Sequence, residues 1–291
     1  MIKIPIIILN YNSSADCRKC IGFLKQQEGV ETEIVVVDNC SPRPGEQDAI
    51  RQLCATEGCT FIQAKDNRGY NAGNNIGLRY SASKGYDYAL IANPDMEFPE
   101  KDYLKKMVGA MEEHPEVAVC GSDIVGNDGE HQNPMGRDGQ WKESFWWFKG
   151  IFLDPLFHRH KTADSRHDFE HNHYCHKVSG CCLMVRINYM EQIGFFDEGV
   201  FLYCEEAILC RQVERDGKKM YYLADTQAVH RHIKSAKGDP VRRYEAWLKS
   251  RIYFIHKYNS ESALCKYIET ISAKMYVALL KINNSRVQHK R

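Results

Sequence analysis

Short polar side chains follow four apolar segments of the sequence, and their chemistry suits a nucleotide. Asp38 comes after four apolar residues, and its carboxylate can accept hydrogen bonds from a ribose or a base. Asp95 follows another apolar run and can hold a hard divalent cation that neutralises a diphosphate. Asp and Asn also stabilise turns, but the segments together favour a nucleotide site. They are 10–12, 38–41, 66–75 and 93–95.

The sequence contains neither of the usual phosphate-binding loops. No G-x-x-x-x-G-K-[ST] motif occurs, and the first apolar run is followed by Asn-Tyr-Asn-Ser-Ser where a dinucleotide fold has G-x-G-x-x-G. A bound diphosphate would therefore need a metal ion. This favours a nucleoside diphosphate bound through Asp95 and a cation over NAD or ATP bound by a glycine-rich loop.

The first half of the chain alternates β-rich apolar runs with helical patterns, which is typical of a parallel sheet covered by helices. The carboxyl ends of parallel strands meet at one edge, where ligands bind, so the polar segments should lie together. Pro5 lacks a backbone donor and should lie near the start of its strand. Strands are predicted at 2–9, 33–37, 60–63, 88–92 and 117–121, and helices at 13–27, 47–56, 70–83 and 99–114.

The second half contains an irregular insertion at 127–176. Its aromatic run at 145–148 could be core, a sugar-stacking platform or a lipid contact, and half of the twelve histidines lie between His158 and His176. Because the histidine spacing matches no closed zinc site, we expect a polar lid over an acceptor. Regular patterns return at 177–185, in a short helix near residue 189, at 195–203, in a helix at 205–216, in strands at 220–223 and 228–230, and in C-terminal helices.

Composition excludes several classes of protein. The 291 residues include 39 Lys and Arg against 38 Asp and Glu, a balance without the basic surface that captures nucleic acid. No run approaches the roughly 20 apolar residues of a membrane-spanning helix, and the apolar start is too short for a signal peptide. We therefore expect a cytoplasmic protein with reduced thiols, in which Cys17 and Cys20 pack as small apolar residues rather than binding a metal.

An ordered series of motifs resembles the family two glycosyltransferases with the GT-A fold, especially their rhamnosyltransferase-like branch. The series is I-I-I-L-N-Y-N at 6–12, V-V-V-D-N-C-S at 35–41, N-R-G-Y-N-A-G-N-N-I-G at 67–77, N-P-D at 93–95, V-S-G-C-C-L-M-V at 178–185 and G-F-F-D-E-G-V-F-L-Y-C-E-E at 194–206. The resemblance implies an α/β fold with a Rossmann-like, mostly parallel central sheet flanked by helices. This domain would span 1–235, followed by a helical extension at 236–291.

The resemblance also implies roles on the donor side. Asp38 resembles the carboxylate that contacts the nucleoside, with Leu9 and Tyr11 beside the base. The residues that resemble the segment lying along the sugar nucleotide are Asn67, Arg68, Gly73 and Asn74.

A metal site is implied in the same way. Asn93-Pro94-Asp95 resembles a variant of the family's D-x-D motif, in which Asp95 binds Mn²⁺ or Mg²⁺ on the diphosphate. His230 resembles a histidine that approaches the metal or the diphosphate. His232 alternates with His230 along a predicted strand and should face away from it.

The resemblance assigns catalysis to a pair of acidic residues. Glu205 and Glu206 resemble the family's Glu-Asp pair, whose second member is the base, although acids also favour a helix N-terminus without any catalytic role. The branch usually reads E-D-x-D-L, whereas this chain has a longer base and Ile208 in place of the later acid. Ser179 and Gly180 resemble the strand that borders the acceptor, and Trp147 of the aromatic run is assigned to the same side.

These observations predict an inverting glycosyltransferase that moves a sugar from dTDP-rhamnose or a UDP-sugar to a glycan or lipid-linked acceptor in bacterial surface polysaccharide synthesis. Two alternatives are a degenerate homologue that binds the nucleotide sugar without turnover, and a sugar nucleotidyltransferase. The latter needs a glycine-rich loop after the first strand, and residues 10–14 contain no glycine. Residues 272–291 are basic without acids, which fits core packing, a homodimer or peripheral contact with the inner membrane face.

Overall fold

The computed structural model describes residues 2–136, 145, 147, 168–231 and 239–288. Within these ranges one mixed sheet is flanked by helices. The strands are β1 Lys3–Asn10, β2 Glu31–Asp38, β3 Thr60–Gln63, β4 Tyr88–Ala92, β5 Met96–Glu97, β6 Val117–Gly126, β7 His173–Cys175, β8 Cys182–Arg186 and β9 Lys219–His230. The helices are α1 Ser14–Leu24, α2 Glu46–Glu57, α3 Tyr70–Ser83, α4 Tyr103–Glu113, α5 Ile187–Gln192, α6 Glu205–Arg215, α7 Pro240–Tyr258 and α8 Ala263–Gln288.

The sheet is parallel in its first half and mixed in its second. The strands β3, β2, β1 and β4 pair in that order and are all parallel, which confirms the predicted α/β arrangement. Next, β8 pairs antiparallel with β4 and β6, while β6 and β9 are parallel. Both β5 and β7 pair antiparallel with β9. The carboxyl ends of β1, β2 and β4 therefore meet at one edge of the sheet.

Both faces of the sheet are buried, and β1 shows why its sequence is continuously apolar. Ile6 packs in a core with α1, α2 and α4, whereas Ile7 packs in a second core with α3, α5 and α6. Because successive strand side chains face opposite ways, a strand covered on both sides carries no polar alternation. Pro5 precedes Ile6, where pairing with β4 begins. All twelve cysteines are free thiols, and Cys17 and Cys20 lie buried in the first core.

Several boundaries in the second half differ from the sequence prediction. β6 continues to Gly126, and it pairs with one long β9 that the sequence divided into two strands. The register between β6 and β9 shifts between Ser122 and Asp123. Such an irregularity disturbs the side-chain alternation while the pairing continues, so the two halves look separate in the sequence. The segment at 195–203 forms no helix or strand, and β7 lies inside the stretch predicted to be irregular.

The helices α7 and α8 pack against each other, and α7 also packs against α6 and the segment that precedes it. Phe254 and Ile255 of α7 form an apolar cluster with Val200 and Ile208. The C-terminal helices thus reach the loop that leads into the acidic pair. In the part of the chain that the structure describes, no helix is both long and apolar enough to cross a membrane.

Candidate functional site

Two adjoining cavities lie at the carboxyl edge of the parallel strands. The first cavity has a volume of about 380 Å³ and lies at the ends of β1 and β4. The second cavity, of about 910 Å³, lies beside it between β8, α6 and the end of β9. Because Tyr70, Asn93 and Leu202 line both cavities, a ligand in one can contact a ligand in the other.

Most residues predicted to bind the donor line the first cavity. Asn67 is fixed there because its Oδ1 accepts hydrogen bonds from Asn39 Nδ2 at 3.1 Å and from the backbone nitrogen of Gly69 at 2.9 Å. Tyr11 is about half exposed, so its ring is available to a base. The predicted donor residues that line this cavity are Leu9, Tyr11, Asn67, Asn93 and Asp95.

Asp38 lies beneath the first cavity and is not among its lining residues. Its carboxylate accepts hydrogen bonds from Asn10 Nδ2 at 2.7 Å, from Ser41 Oγ at 2.6 Å and from Gln63 Nε2 at 2.8 Å, and the residue is fully buried. Burial alone would raise the pKa of Asp38, but these hydrogen bonds hold that pKa below its usual range. The structure therefore gives Asp38 a role in ordering the ends of β1 and β2, and its contact with a nucleoside stays a prediction.

Three further donor-side residues lie outside the cavity walls. Arg68 pairs with Glu198, with 3.0 Å between Nη2 and Oε2, and its side chain is mostly exposed. Gly73 packs on Leu9, since a Cβ added to it would lie 2.5 Å from Leu9 Cδ1. Asn74 is buried and donates to the carbonyl oxygen of Tyr70 at 3.0 Å. These positions support the wall, and their predicted contact with the sugar nucleotide is untested.

Asp95 and His230 come together between the two cavities. His230 Nε2 lies 3.3 Å from Asp95 Oδ1, and its Nδ1 lies 2.8 Å from Gln132 Oε1. Burial disfavours the charged ring, but its interactions with Asp95 and Cys181 outweigh burial and raise the pKa of His230 to about 10. The ring and the carboxylate therefore form an ion pair in this structure.

Asp95 fits a partial metal site, and His230 can join it only with a neutral ring, because an imidazolium has no free nitrogen lone pair for a cation. Within the described ranges, no group of three His, Cys, Asp or Glu side chains could bind a metal ion by itself. Mg²⁺ and related hard cations are commonly bound by one or two carboxylates together with substrate phosphates. Asp95 in a cavity wall is a suitable ligand of that kind, and the other oxygen ligands would have to come from a bound diphosphate and water.

The acidic pair lies at the N-terminus of α6, in the wall of the second cavity. Glu206 Oε1 accepts a hydrogen bond from the backbone nitrogen of Gly180 at 3.2 Å. Ser179 and Gly180 line the same cavity, so the predicted acceptor strand and the predicted base are neighbours. Burial and the charge of Glu206 raise the pKa of Glu205 to about 8. The protonated form of Glu205 is therefore favoured in this buried position beside Glu206.

The side chain of Ile208, which departs from the acidic motif expected by resemblance, packs away from the cleft. Its side chain is buried with Val200, Phe254 and Ile255, on the side of α6 that faces α7. It does not line either cavity. Position 208, where the resemblance leads us to expect an acid, therefore attaches α6 to α7 and contributes nothing to the cleft wall in this chain.

Tyr70 and Gln132 are site residues that the sequence analysis did not single out. The Tyr70 hydroxyl donates to the carbonyl oxygen of Gly180 at 2.6 Å and lies 3.2 Å from Asn93 Oδ1. It thereby connects the metal motif with the acceptor strand. Tyr70 lies within the motif at 67–77, so the sequence analysis could have singled it out. Gln132 stood in the irregular insertion, where no pattern indicated its contact with His230.

The described part of the insertion lines the second cavity through Asn127, Asp128, Glu130 and Gln132, whereas Trp147, predicted on the acceptor side, lines neither cavity. Trp147 is buried, donates to Ser272 Oγ at 2.9 Å and lies against Tyr276, so this side chain packs on α8. His171 pairs with Asp168. The remaining residues of the predicted lid at 137–144, 146 and 148–167, and also His232, lie outside the described residues.

Comparison with known proteins gives a family match. Residues 6–194 match the model of the family described as glycosyl transferase family 2. The low-salt glycan biosynthesis hexosyltransferase Agl10 of Haloferax volcanii is 28% identical over 236 residues, which are 78% of this chain and 66% of that protein. An N-acetylglucosaminyl-diphospho-decaprenol L-rhamnosyltransferase of Mycobacterium tuberculosis is 23% identical over 263 residues, which are 87% of this chain and 83% of that protein. This chain spans just under two thirds of the length of the Haloferax protein.

Solved structures share the fold. Residues 1–349 of S. aureus TarS in complex with UDP superpose with a TM-score of 0.55 at 17% identity, covering 92% of this chain and 70% of that chain. The mannosyltransferase PcManGT of Pyrobaculum calidifontis, in complex with GDP-Man and Mn²⁺, gives a TM-score of 0.58 at 16% identity, covering 94% of this chain and 69% of that chain. At these identities the likeness establishes the fold and nothing finer.

Proposed function

Because the chain belongs to glycosyl transferase family 2, we propose that it is an inverting glycosyltransferase. It moves a sugar from a nucleotide diphosphate sugar to a hydroxyl of a glycan or lipid-linked acceptor in surface polysaccharide synthesis. One observation carries this proposal: Glu206 lies in a cavity that adjoins the one containing Asp95. A base for the acceptor and a ligand for the donor's diphosphate therefore lie on neighbouring walls of one cleft.

The donor occupies the first cavity in this proposal. Leu9 and Tyr11 flank the base, Asn67 contacts the sugar nucleotide, and Asn93 with Asp95 faces the diphosphate. The rhamnosyltransferase among the relatives makes dTDP-rhamnose one candidate. UDP-sugars and GDP-sugars are the other candidate donors, because structural neighbours bind UDP and GDP-Man.

Asp95, with His230 beside it, would bind Mn²⁺ or Mg²⁺ together with the diphosphate. The PcManGT complex with Mn²⁺ supports divalent metal use in this fold. Such a cation, when bound, neutralises the charge that develops on the departing diphosphate. His230 Nε2 lies 3.3 Å from Asp95 Oδ1, so a neutral His230 ring could supply a nitrogen ligand beside the carboxylate.

Glu206 acts as the general base on the acceptor. Its Oε1 is fixed by the backbone nitrogen of Gly180, and a positioned carboxylate can accept the proton of a hydroxyl as that oxygen attacks the anomeric carbon. The new glycosidic bond forms as the bond to the diphosphate breaks. With the base and the leaving group on opposite sides of the sugar, a single displacement inverts the anomeric centre.

The remaining parts of the proposal concern the chain as a whole. We assign catalysis to 1–235 and a helical extension to 236–291, which attaches to the loop before α6 through Phe254 and Ile255. A cytoplasmic location with peripheral contact to the inner membrane face, and a homodimer, remain proposals. Nucleic acid is not a proposed partner.

Calorimetric titration with UDP, dTDP and GDP, each with and without Mn²⁺, tests the donor site. We expect one nucleotide to bind only with the metal, and Asp95→Ala to abolish that binding. Asp48→Ala is the control, because Asp48 is an exposed carboxylate on α2 away from the cleft. Unchanged affinity in Asp95→Ala would refute the metal assignment.

Transfer assays with the donor so identified test the base. We expect Glu206→Gln to retain donor affinity and to lose sugar transfer and donor hydrolysis, because the amide cannot accept the proton. If the Glu206→Gln variant transfers sugar, the general base is another residue. If the wild-type chain binds nucleotide and turns over none of its sugars on any acceptor, the degenerate-homologue hypothesis replaces this one.

A further inference from the structure

A third cavity lies between the loop before α6 and the two C-terminal helices. Its volume is about 570 Å³. Leu202 and Tyr203 line both this cavity and the second one, and they are followed in the chain by Cys204 and the acidic pair. Most of the wall is apolar or aromatic: Leu202, Tyr203, Tyr244, Trp247, Tyr276 and Leu280.

The wall of the third cavity suits an apolar chain better than a sugar. A site that binds sugar hydroxyls needs polar groups aimed at them, and a buried hydroxyl without a partner is unfavourable. The described lining contains no carboxylate and no amide side chain. Aromatic rings and leucines provide a large apolar surface instead.

One charged residue, Arg243, completes the wall. It lies in the first turns of α7, and its Nε is buried without a hydrogen-bond partner among the described residues. Arg243 as a whole is half-buried, but a buried N–H that lacks a partner is unfavourable, and the planar guanidinium binds phosphate oxygens with paired hydrogen bonds. The cavity therefore offers a site for an anion beside a site for an apolar chain.

The outer face of α8 supports a membrane source for such a molecule. Leu264, Tyr267, Met275 and Ile282 are each about half to two thirds exposed, and their spacing places them on one side of the helix. Exposed apolar stripes mark contact surfaces. Residues 272–291 contain basic side chains and no acids, and among them Lys281 pairs with Glu245 of α7. A basic helix with an exposed apolar face suits contact with an anionic lipid layer.

We propose that the third cavity binds the apolar chain of a lipid-phosphate acceptor and that Arg243 contacts its phosphate. The acceptor's sugar would then extend past Leu202 and Tyr203 into the second cavity, towards Glu206. This inference rests on the proposed glycosyltransferase function and assigns its acceptor class. It also gives the C-terminal helices a role in substrate binding.

Binding of decyl phosphate to the full chain tests the proposal, with decanol and inorganic phosphate as partial ligands. We expect decyl phosphate to bind more tightly than either. Arg243→Gln should weaken decyl phosphate binding by about 10- to 100-fold, as expected for the loss of charged hydrogen bonds, and leave decanol binding unchanged. Arg242→Gln is the matched control, because the neighbouring Arg242 is exposed.

Leu280→Asn provides a second variant if Arg243→Gln does not fold. It should weaken both decyl phosphate and decanol, because it places a polar group in the apolar wall. Equal affinity of the wild-type chain and Arg243→Gln for decyl phosphate would overturn the proposal. So would inorganic phosphate binding as tightly as decyl phosphate, which would indicate an anion site without a chain site.

Nucleotide titration of the same preparations separates this inference from the proposed function. Nucleotide binding without decyl phosphate binding refutes the acceptor subsite and leaves the glycosyltransferase proposal standing. Decyl phosphate binding with the expected loss in Arg243→Gln, but no nucleotide binding, supports the lipid subsite and refutes the donor site.

Discussion

Replacing Gly69 by alanine should disturb the cleft from outside the reacting groups. Gly69 has φ +100° and ψ −176°, a backbone region that only glycine adopts readily. A Cβ added there would lie 2.7 Å from both the carbonyl carbon and the Cα of Phe201, and closer to the carbonyl oxygen. The next residue, Tyr70, donates its backbone N–H to that oxygen at 2.9 Å. The methyl group would therefore press on the Phe201 backbone, which lines the first cavity and precedes Leu202, a residue of both cavities.

The size of the effect follows from these contacts. Ordinary contact begins at 3.4 Å, so the Phe201 backbone must move by about 0.7 Å or more. The backbone region costs alanine about 1–3 kcal/mol, and losing the hydrogen bond from Tyr70 adds about 1 kcal/mol. Because a displacement of about an ångström near reacting groups can lower a rate by about 100-fold, we expect sugar transfer to fall by one to two orders of magnitude.

Gly85→Ala is the matched control for Gly69→Ala. Gly85 also has a positive φ, +75°, but a Cβ there would meet nothing within 4 Å. Its alanine variant should lose about 1 kcal/mol of stability and retain full transfer. Urea unfolding and the turnover of the donor identified by calorimetry measure both effects. Equal stability and equal turnover in the two variants would refute the argued contact with Phe201.

Two further substitutions test the acidic pair and its support. Burial and the charge of Glu206 raise the pKa of Glu205 to about 8 in the folded chain, whereas an exposed glutamate has a pKa of about 4.3. Between these two pKa values, Glu205 is protonated in the folded chain and ionised in the unfolded chain. The free energy of unfolding therefore falls as the pH rises through this range, by up to about 1.4 kcal/mol per pH unit. Glu205→Gln should remove that slope in urea unfolding from pH 5 to 8, and an unchanged slope would contradict the assignment. Asp197 accepts hydrogen bonds from the Tyr253 hydroxyl at 2.9 Å and from Lys257 Nζ at 2.8 Å. Asp197→Asn should therefore lower the unfolding free energy by about 1–3 kcal/mol and reduce turnover, whereas a loss of turnover at full stability would point to a direct catalytic role.

The sequence predicted the elements whose signals are local. Helix α3 and strand β3 were predicted with their observed ends, because glycine and polar residues bound their apolar patterns. The continuous β9 was not predicted, because its register shift lies in the pairing with β6 and not in its own sequence. The buried network of Asp38 could not be predicted either, since a carboxylate after a strand looks the same whether it faces a ligand or Ser41 and Gln63.

The C-terminal helices show why a departure from a family motif need not weaken a site. Ile208 of α6 packs against Phe254 of α7, and Ser250 Oγ of α7 donates to the carbonyl oxygen of Leu202 at 2.7 Å. The segment between Leu202 and Glu205 has no regular hydrogen bonding of its own and passes through two residues with positive φ, Tyr203 and Cys204. Such a segment orders a carboxylate only if other elements hold it at both ends. Ile208 holds the far end of this segment and the Ser250 hydroxyl of α7 holds the near end, so the contacts of α7 fix the backbone that leads into Glu206.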